Sequence, residues 1–267
     1  TSTFILGYRL ALLVSGGVAL VLADHLPFGV VYALMALLLL PGVLTTWCAP
    51  TPAGAEPPRS LYEAVVDPLV DYFRRPGAVA VLLFITLYRL GDVLANNMVM
   101  PFLFALHYSK SEVGVGYKIA GTAATLLGTL GGGALVARWG LYRALLTFGL
   151  LQGLANLTYA ALAVARHSRA LLLTAVGLDQ LCTGLAIAAL DVFLMVQCNR
   201  RFSATQFALL ASASGVAGRL CGAGAGYAVA ALGWPLFFVS TWLLALPALL
   251  ILWHLQRSGK ILDRGEC

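Results

Sequence analysis

Residues 79–105 read VAVLLFITLYRLGDVLANNMVMPFLFA, an apolar run longer than the ~20 residues that cross a bilayer as a helix. Over the whole chain of 267 residues, 60% are hydrophobic and only 10% are charged, compared with roughly 25% in a soluble domain. So few charges cannot cover so much apolar surface, which excludes an ordinary soluble enzyme, a disordered protein and a secreted disulfide scaffold. The composition predicts an all-α fold, a polytopic membrane helical bundle.

Further apolar runs raise the prediction to about eight transmembrane helices. The runs are residues 4–23, 29–47, 79–105, 113–136, 144–164, 170–198, 203–231 and 235–256. Between the second and the third run, residues 48–78 are rich in proline and in charges of both signs, which is typical of a polar connector. We expect a short amphipathic helix at 60–74 within this connector.

The basic residues of the loops indicate the orientation in the membrane. If the connector is cytoplasmic, the loops on its side hold ten basic residues and the opposite loops hold three. The ten are Arg59, Arg74, Arg75, Arg138, Arg143, Arg200, Arg201, Arg257, Lys260 and Arg264, and the three are Lys110, Arg166 and Arg169. Because cytoplasmic loops are enriched in Lys and Arg, we predict that the connector and both chain ends are cytoplasmic.

The net charge of +6 does not indicate a nucleic-acid partner, because the excess basic residues lie in short loops and not along one amphipathic face. The five cysteines show no CxxC pair and no histidine at metal-ligand spacing, so we interpret them as apolar filler or free thiols. We predict no metal, no cofactor and no catalytic residue. The chain starts at Thr1 without a signal peptide, from which we expect a fragment or a processed chain.

Ionisable residues inside the apolar runs are the candidates for function. They are Arg9, Arg89, Asp92, Lys118, Asp179, Asp191 and Arg219. Each costs about 2.5–3.5 kcal/mol on insertion scales at the centre of a membrane helix. Proteins that carry several such residues usually place them on an internal, hydrated surface.

Amide side chains extend the same helix faces. Asn96 lies one turn after Asp92, Gln152 and Asn156 are four residues apart, and Gln180 falls on the face of Asp191. We therefore predict a polar, water-filled pathway for substrate and protons between the helices, lined by these amides and the ionisable residues.

A purely structural interpretation remains open for each of these residues, since buried polar pairs can simply hold helices together. Arg89 and Asp92 are three residues apart and can neutralise each other locally. Lys118 and Asp191 have no evident local partner, which favours contact with substrate or protons. Asp179 fits a proton carrier and equally a protonated structural residue.

The loop after the fourth run carries a recognisable pattern, Gly133-Ala-Leu-Val-Ala-Arg-Trp-Gly-Leu-Tyr-Arg143. It resembles the G-x-L-x-D-R-x-G-x-x-R loop signature of the major facilitator superfamily, with Ala137 where that family usually has Asp. In this pattern Gly140 allows a tight turn, and the arginines lie near helix C-termini, where a positive charge is favourable. The resemblance assigns a gating role to Gly133, Arg138, Gly140 and Arg143.

Shorter motifs narrow the resemblance further. LGYRL at 6–10, LYRLGD at 87–92 and FSATQFALL at 202–210 look like those of AmpG-type muropeptide permeases, in the same order along essentially the whole chain. The related acetyl-CoA transporter branch shares the architecture. The resemblance implies a proton-driven bacterial inner-membrane importer of N-acetylglucosaminyl-1,6-anhydro-N-acetylmuramyl peptides for cell-wall recycling. It also implies that the cargo feeds the signal for β-lactamase induction, and hence β-lactam resistance.

The resemblance also implies a domain division. Residues 1–47 would be the last two helices of an N-terminal half, 48–78 the cytoplasmic linker, 79–256 the six-helix C-terminal half and 257–267 a cytoplasmic tail. The expected partners are the muropeptide, protons, the lipid bilayer and the absent N-terminal helices of the same transporter.

Three other functions remain open. The first is a related transporter for acetyl-CoA or another sugar conjugate. The second is a membrane-embedded lipid-modifying enzyme, which would need clustered acidic residues or a His-Asp pair. The third is a receptor with this fold that binds its ligand without transport.

Overall fold

The computed structural model describes residues 26–49, 60–113, 117, 120–165, 168–199 and 202–258, together with the isolated residues 7, 11, 14 and 22. All regular structure within these residues is helical, which confirms the predicted all-α fold. The predicted run 4–23 lies almost entirely outside the described residues. The chain forms two compact units, divided between Pro57 and Pro58, which are described one at a time.

The first unit contains α1 (Phe28–Leu37) and α2 (Leu40–Cys48). Pro41 lies in the first turn of α2, where a missing backbone N–H costs nothing. Together the two helices form one apolar segment of membrane length, Phe28–Cys48, in which Val31 is the buried residue.

The second unit contains nine helices within its described residues. They are α3 (Leu61–Phe73), α4 (Ala78–Ala105), α5 (Lys110–Val113), α6 (Gly121–Trp139), α7 (Leu141–Ala165), α8 (Arg169–Gln197), α9 (Ser203–Gly222), α10 (Ala225–Leu243) and α11 (Leu246–Arg257). The amphipathic helix predicted in the connector is α3, whose first turn is capped by the Ser60 hydroxyl accepting the Glu63 N–H.

Five segments of the described chain are long and apolar enough to cross a membrane. They are Phe28–Cys48, Ala78–Ala105, Leu141–Ala165, Arg169–Gln197 and Ala225–Arg257. The predicted span 113–136 overlaps α6, and the predicted span 203–231 covers α9 and the first turns of α10. The many glycine, serine and threonine residues of α6 and α9 lower the mean hydropathy of these two helices. The chain is a multi-pass membrane protein.

Two glycines with positive φ divide the long helices. Gly140 (φ 80°) separates α6 from α7, at the tight turn that the loop pattern predicts. Gly233 (φ 75°) interrupts the helix geometry of α10. It lies between the end of the predicted span 203–231 and the start of the predicted span 235–256. A left-handed φ of this kind is accessible to glycine at little cost.

Small residues bring α6 and α8 into close contact. A Cβ added at Gly128 would collide with the Leu181 carbonyl oxygen, and one added at Gly184 would collide with the Thr125 carbonyl oxygen. Glycine therefore lets the two backbones approach each other directly, as small residues do at other helix contacts in membranes.

Two apolar clusters fill the two ends of the second unit. The first cluster includes Phe84, Leu145, Phe148, Phe193 and Leu252, and the second includes Phe102, Leu103, Tyr159, Leu162 and Phe238. Both clusters take residues from α4 and α7, so the middle turns of these helices lie between them. This intermediate level holds most of the polar residues that the sequence singled out.

Candidate functional site

A layer of polar side chains crosses the second unit between the two apolar clusters; we call it the polar layer. Its centre is Gln152 on α7, whose Nε2 donates hydrogen bonds to Asp92 Oδ1 at 2.9 Å and to Asp179 Oδ1 at 3.0 Å. Asp92 lies on α4 and Asp179 on α8, so one amide nitrogen connects carboxylates from two other helices. The amide has two hydrogens, and each carboxylate receives one.

Neutral donors complete the surroundings of both carboxylates. Asp92 Oδ1 also accepts from Asn96 Nδ2 at 2.8 Å and from the Thr183 hydroxyl at 3.4 Å. Asp179 Oδ2 accepts from the Tyr159 hydroxyl at 3.1 Å, and the Asp179 side chain is 0% exposed. Amide and hydroxyl groups therefore surround both acids, without a direct cationic partner among the described residues.

The layer continues beyond its two acids. The Tyr117 hydroxyl donates to Asn96 Oδ1 at 3.0 Å, and the Thr125 hydroxyl donates to Gln180 Oε1 at 2.8 Å. The sequence reasoning missed Tyr117 and Thr183. Thr183 follows Asp179 by four residues, so the helical spacing could have identified it.

A small cavity of about 20 Å³ opens beside the layer. Arg89, Asp92, Gln152, Asn156 and Thr183 are among its lining residues. The space beside the polar layer has room for about one water molecule, so at this place it is much smaller than the wide, water-filled cavity that the sequence predicted. The reason is that Gln152 and its neighbours hydrogen-bond to one another across the helices.

The sequence left open that Arg89 and Asp92 neutralise each other as a local pair. The structure has no ion pair between them, because Asp92 uses Asn96, Gln152 and Thr183 as its donors. The Arg89 guanidinium is half-buried and acts electrostatically on both Asp92 and Asp191. Asp191 is itself half-buried on α8 and makes no hydrogen bond within the polar layer.

The described part of the polar layer does not include the remaining predicted site residues. Arg219 is exposed on α9, and Arg9 and Lys118 lie outside the described residues. In the loop pattern, Arg138 and Arg143 are exposed on either side of the turn at Gly140. The gating role of these arginines and of Gly133 stays a prediction.

A second polar cluster joins the connector helix α3 to the start of α9. We call it the connector network, and its members are Asp71, Arg75, Asn199 and Gln206. Gln206 is 0% exposed; its Nε2 donates to Asp71 Oδ2 at 2.9 Å and to the Pro68 carbonyl at 3.0 Å. Its Oε1 accepts the Asn199 backbone N–H at 2.7 Å. One glutamine side chain thus holds two segments together.

Arg75 gives the connector network its positive charge. It forms an ion pair with Asp71, and its Nη1 donates to the Gln197 carbonyl at 2.7 Å. Burial alone would raise the pKa of Asp71, but hydrogen bonds from Gln206 and Arg75 and the Arg75 charge hold this pKa below its ordinary value. The network therefore favours an ionised Asp71.

Pro68 explains a further contact in this region. Proline has no backbone N–H, so it cannot donate the helical hydrogen bond to the Ala64 carbonyl four residues earlier. The Thr205 hydroxyl donates to that carbonyl instead, at 3.4 Å. Thr205 and Gln206 both belong to the FSATQFALL motif, so this motif has a physical role in docking the connector helix.

Comparison with known proteins gives relatives over nearly the whole chain, although no family model matches it. The anhydromuropeptide permease of Escherichia coli K12 is 44% identical over 251 residues, which are 93% of this chain and 51% of the relative. Putative transporter AmpG 4 of Rickettsia felis is 31% identical over 269 residues, which are 98% of this chain and 65% of the relative. The chain spans about half the length of the Escherichia coli relative.

These relatives agree with the motif-based interpretation. They are named as a permease and a transporter and not as enzymes. Together with the five membrane-length helices, they confirm the predicted location as a multi-pass protein of the bacterial inner membrane.

Proposed function

We propose, since the chain belongs to the AmpG-type transporter family, that it forms part of a permease that imports muropeptides for cell-wall recycling. The cargo would be N-acetylglucosaminyl-1,6-anhydro-N-acetylmuramyl peptides, carried from the periplasm to the cytosol. The observation that carries the proposal is the 44% identity to an anhydromuropeptide permease across 93% of this chain.

The proposed permease is built from two halves of the major facilitator type. Residues 79–256 form its six-helix C-terminal half, residues 48–78 link the halves, and residues 1–47 belong with the other half. In such transporters the substrate site lies between the halves near the midplane of the bilayer. The cargo path would therefore run beside the polar layer and widen only when the other half is included.

We further propose that the transport is coupled to protons through Asp92 and Asp179. Both carboxylates accept from the same amide nitrogen, so their accepting oxygens are within two hydrogen-bond lengths of each other. Two negative charges this close in a membrane interior repel each other strongly, and one bound proton removes the repulsion. A proton that crosses the membrane with the cargo contributes about 2.3 kcal/mol per 100 mV.

A consequence of the proposed import is a role in β-lactam resistance. Muropeptides that reach the cytosol would supply the signal that induces chromosomal β-lactamase. Cells that lack the permease should then fail to induce the enzyme, while a plasmid copy should restore induction.

The decisive experiment is uptake of radiolabelled muropeptide into proteoliposomes that contain the full-length transporter. We expect accumulation with an inward proton gradient, and its loss on addition of a protonophore. Asp92→Asn and Asp179→Asn should abolish accumulation but keep exchange of labelled for unlabelled cargo, which needs no gradient.

Asp191→Asn is the matched control, since it removes a carboxylate from the same helix as Asp179 but outside the polar layer. Its accumulation should stay dependent on the gradient. If both polar-layer variants accumulate cargo as the wild type does, the coupling proposal fails. If the wild type neither accumulates nor exchanges muropeptide, the proposed cargo is wrong.

A further inference from the structure

Two buried carbonyl oxygens in the polar layer lack a hydrogen-bond donor among the described residues. Gln152 gives both amide hydrogens to Asp92 and Asp179, and its Oε1 has no partner. Asn156 donates to Thr241 Oγ1 at 3.4 Å, and its Oδ1 has no partner. Buried carbonyl groups normally accept at least one hydrogen bond, so a pair of unpaired ones on the same helix face needs an explanation.

The two amide orientations follow from the neighbouring groups. The Gln152 nitrogen lies within hydrogen-bond distance of both acids, so its oxygen faces away from them. The Thr241 hydroxyl already donates to the Phe238 carbonyl, so it can only accept from Asn156. The carbonyl oxygens are therefore the free ends of both side chains.

Both residues line the same cavity. Gln152 is 6% and Asn156 is 2% exposed, and both border the space of about 20 Å³ that Arg89 also lines. A space of this size admits about one small polar group. Two acceptors beside it favour a guest with two hydrogen-bond donors on neighbouring atoms.

We propose that Gln152 and Asn156 form a recognition subsite for the sugar part of the cargo. This inference rests on the proposed function. A hydroxyl group and an acetamido N–H on adjacent ring carbons present two donors side by side, one for each carbonyl oxygen. A peptide carboxylate is a poor guest, because it offers no hydrogen and would meet the negative charge of Asp92.

The test measures the half-saturation concentration for exchange in proteoliposomes without a proton gradient, so that proton coupling does not enter. The probes are the labelled disaccharide N-acetylglucosaminyl-1,6-anhydro-N-acetylmuramic acid and the same disaccharide bearing its peptide. For Asn156→Leu and Asn156→Ala we expect about a tenfold increase for both probes, because the lost acceptor contacts the sugar that they share.

Thr129→Val is the control variant. Thr129 Oγ1 is another buried oxygen without a partner, but Thr129 does not line this cavity. Removal of the Thr129 hydroxyl should change the half-saturation concentration of neither probe by more than about twofold. Thermal unfolding of each purified variant checks that the fold is retained.

A wild-type experiment covers the case in which the Asn156 variants do not fold. Methylation of the acetamido nitrogens of the disaccharide removes its N–H donors and should raise the half-saturation concentration about tenfold.

Unchanged exchange by folded Asn156 variants would overturn the inference and leave a bound water as the guest. An increase only for the peptide-bearing probe would overturn it in favour of peptide recognition. Absence of any exchange by the wild type would instead contradict the proposed function.

Discussion

The polar layer and the connector network use the same side-chain types but balance their acids differently. In the polar layer, Asp92 and Asp179 are surrounded by neutral donors centred on Gln152. In the connector network, Asp71 has a fixed cation, Arg75, in direct contact. The Arg75 charge favours the ionised form of Asp71, whereas Asp92 and Asp179 have no cation in hydrogen-bond contact among the described residues. Aspartate thus contributes to stability in the connector network and, in our proposal, to transport in the polar layer.

The largest effect should follow from Gln152→Leu, which removes the donor that both acids share. We expect a loss of about 1–3 kcal/mol in the free energy of unfolding for each of the two carboxylates, because each loses one of its hydrogen-bond donors, and no accumulation of cargo. Thermal unfolding and uptake measure the two effects. Gln180→Leu is the control, since it removes an amide that bonds to Thr125 and to neither acid. Equal losses in the two variants would contradict a central role for Gln152.

Gln206→Leu tests the corresponding glutamine of the connector network. It should cost about 1–3 kcal/mol in total, because the groups that it leaves behind can bind water at this end of the bundle. Hydrogen exchange in α3 should accelerate, while the polar layer stays protected. If exchange in α3 is unchanged, Gln206 does not hold the connector helix.

The pH dependence should separate the two regions. The pKa of Asp71 in the folded protein lies below its ordinary value of 3.8, so its ionised form stabilises the docked connector above that pH. This stabilisation should disappear as the pH falls below that value through the pKa of the folded state. Hydrogen exchange of α3 should accelerate there in the wild type. Asp71→Asn should show faster exchange at neutral pH and little further change on acidification.

The smallest effect concerns Pro68 and Thr205. Thr205→Val should cost about 0.5–1 kcal/mol, because the Ala64 carbonyl loses its donor. With Pro68→Ala in place, residue 68 can supply the helical N–H, and Thr205→Val should then cost almost nothing. Unfolding of the two single variants and the double variant measures this coupling. Additive costs would show that Thr205 does not compensate for the proline.

Much of the fold could be predicted from helix-scale patterns. The apolar runs located the membrane helices, the mixed polarity of residues 60–74 located α3, and the glycine in the loop pattern located the turn at Gly140. These features are local, since a helix of 3.6 residues per turn fixes which residues share a face. The same periodicity placed Gln152 and Asn156 on one face of α7.

Contacts between helices could not be predicted in this way. Asp92 and Asp179 meet only because Gln152 lies between α4 and α8, and Asp71 meets Gln206 across more than half of the chain. The spacing of Arg89 and Asp92 allowed a local pair, but Asp92 accepts hydrogen bonds from Gln152 on α7 and Thr183 on α8 instead.

The amino-acid sequence alone determined that this protein is a helical membrane protein, where its apolar segments lie and which faces of its helices are polar, because hydropathy and helix periodicity are properties of short stretches of chain. Tertiary structure decided which polar faces meet, which acid has a cation beside it and which carbonyl oxygens stay unpaired. These contacts depend on how closely the glycine-rich surfaces of the helices pack, which brings together residues that are distant in sequence.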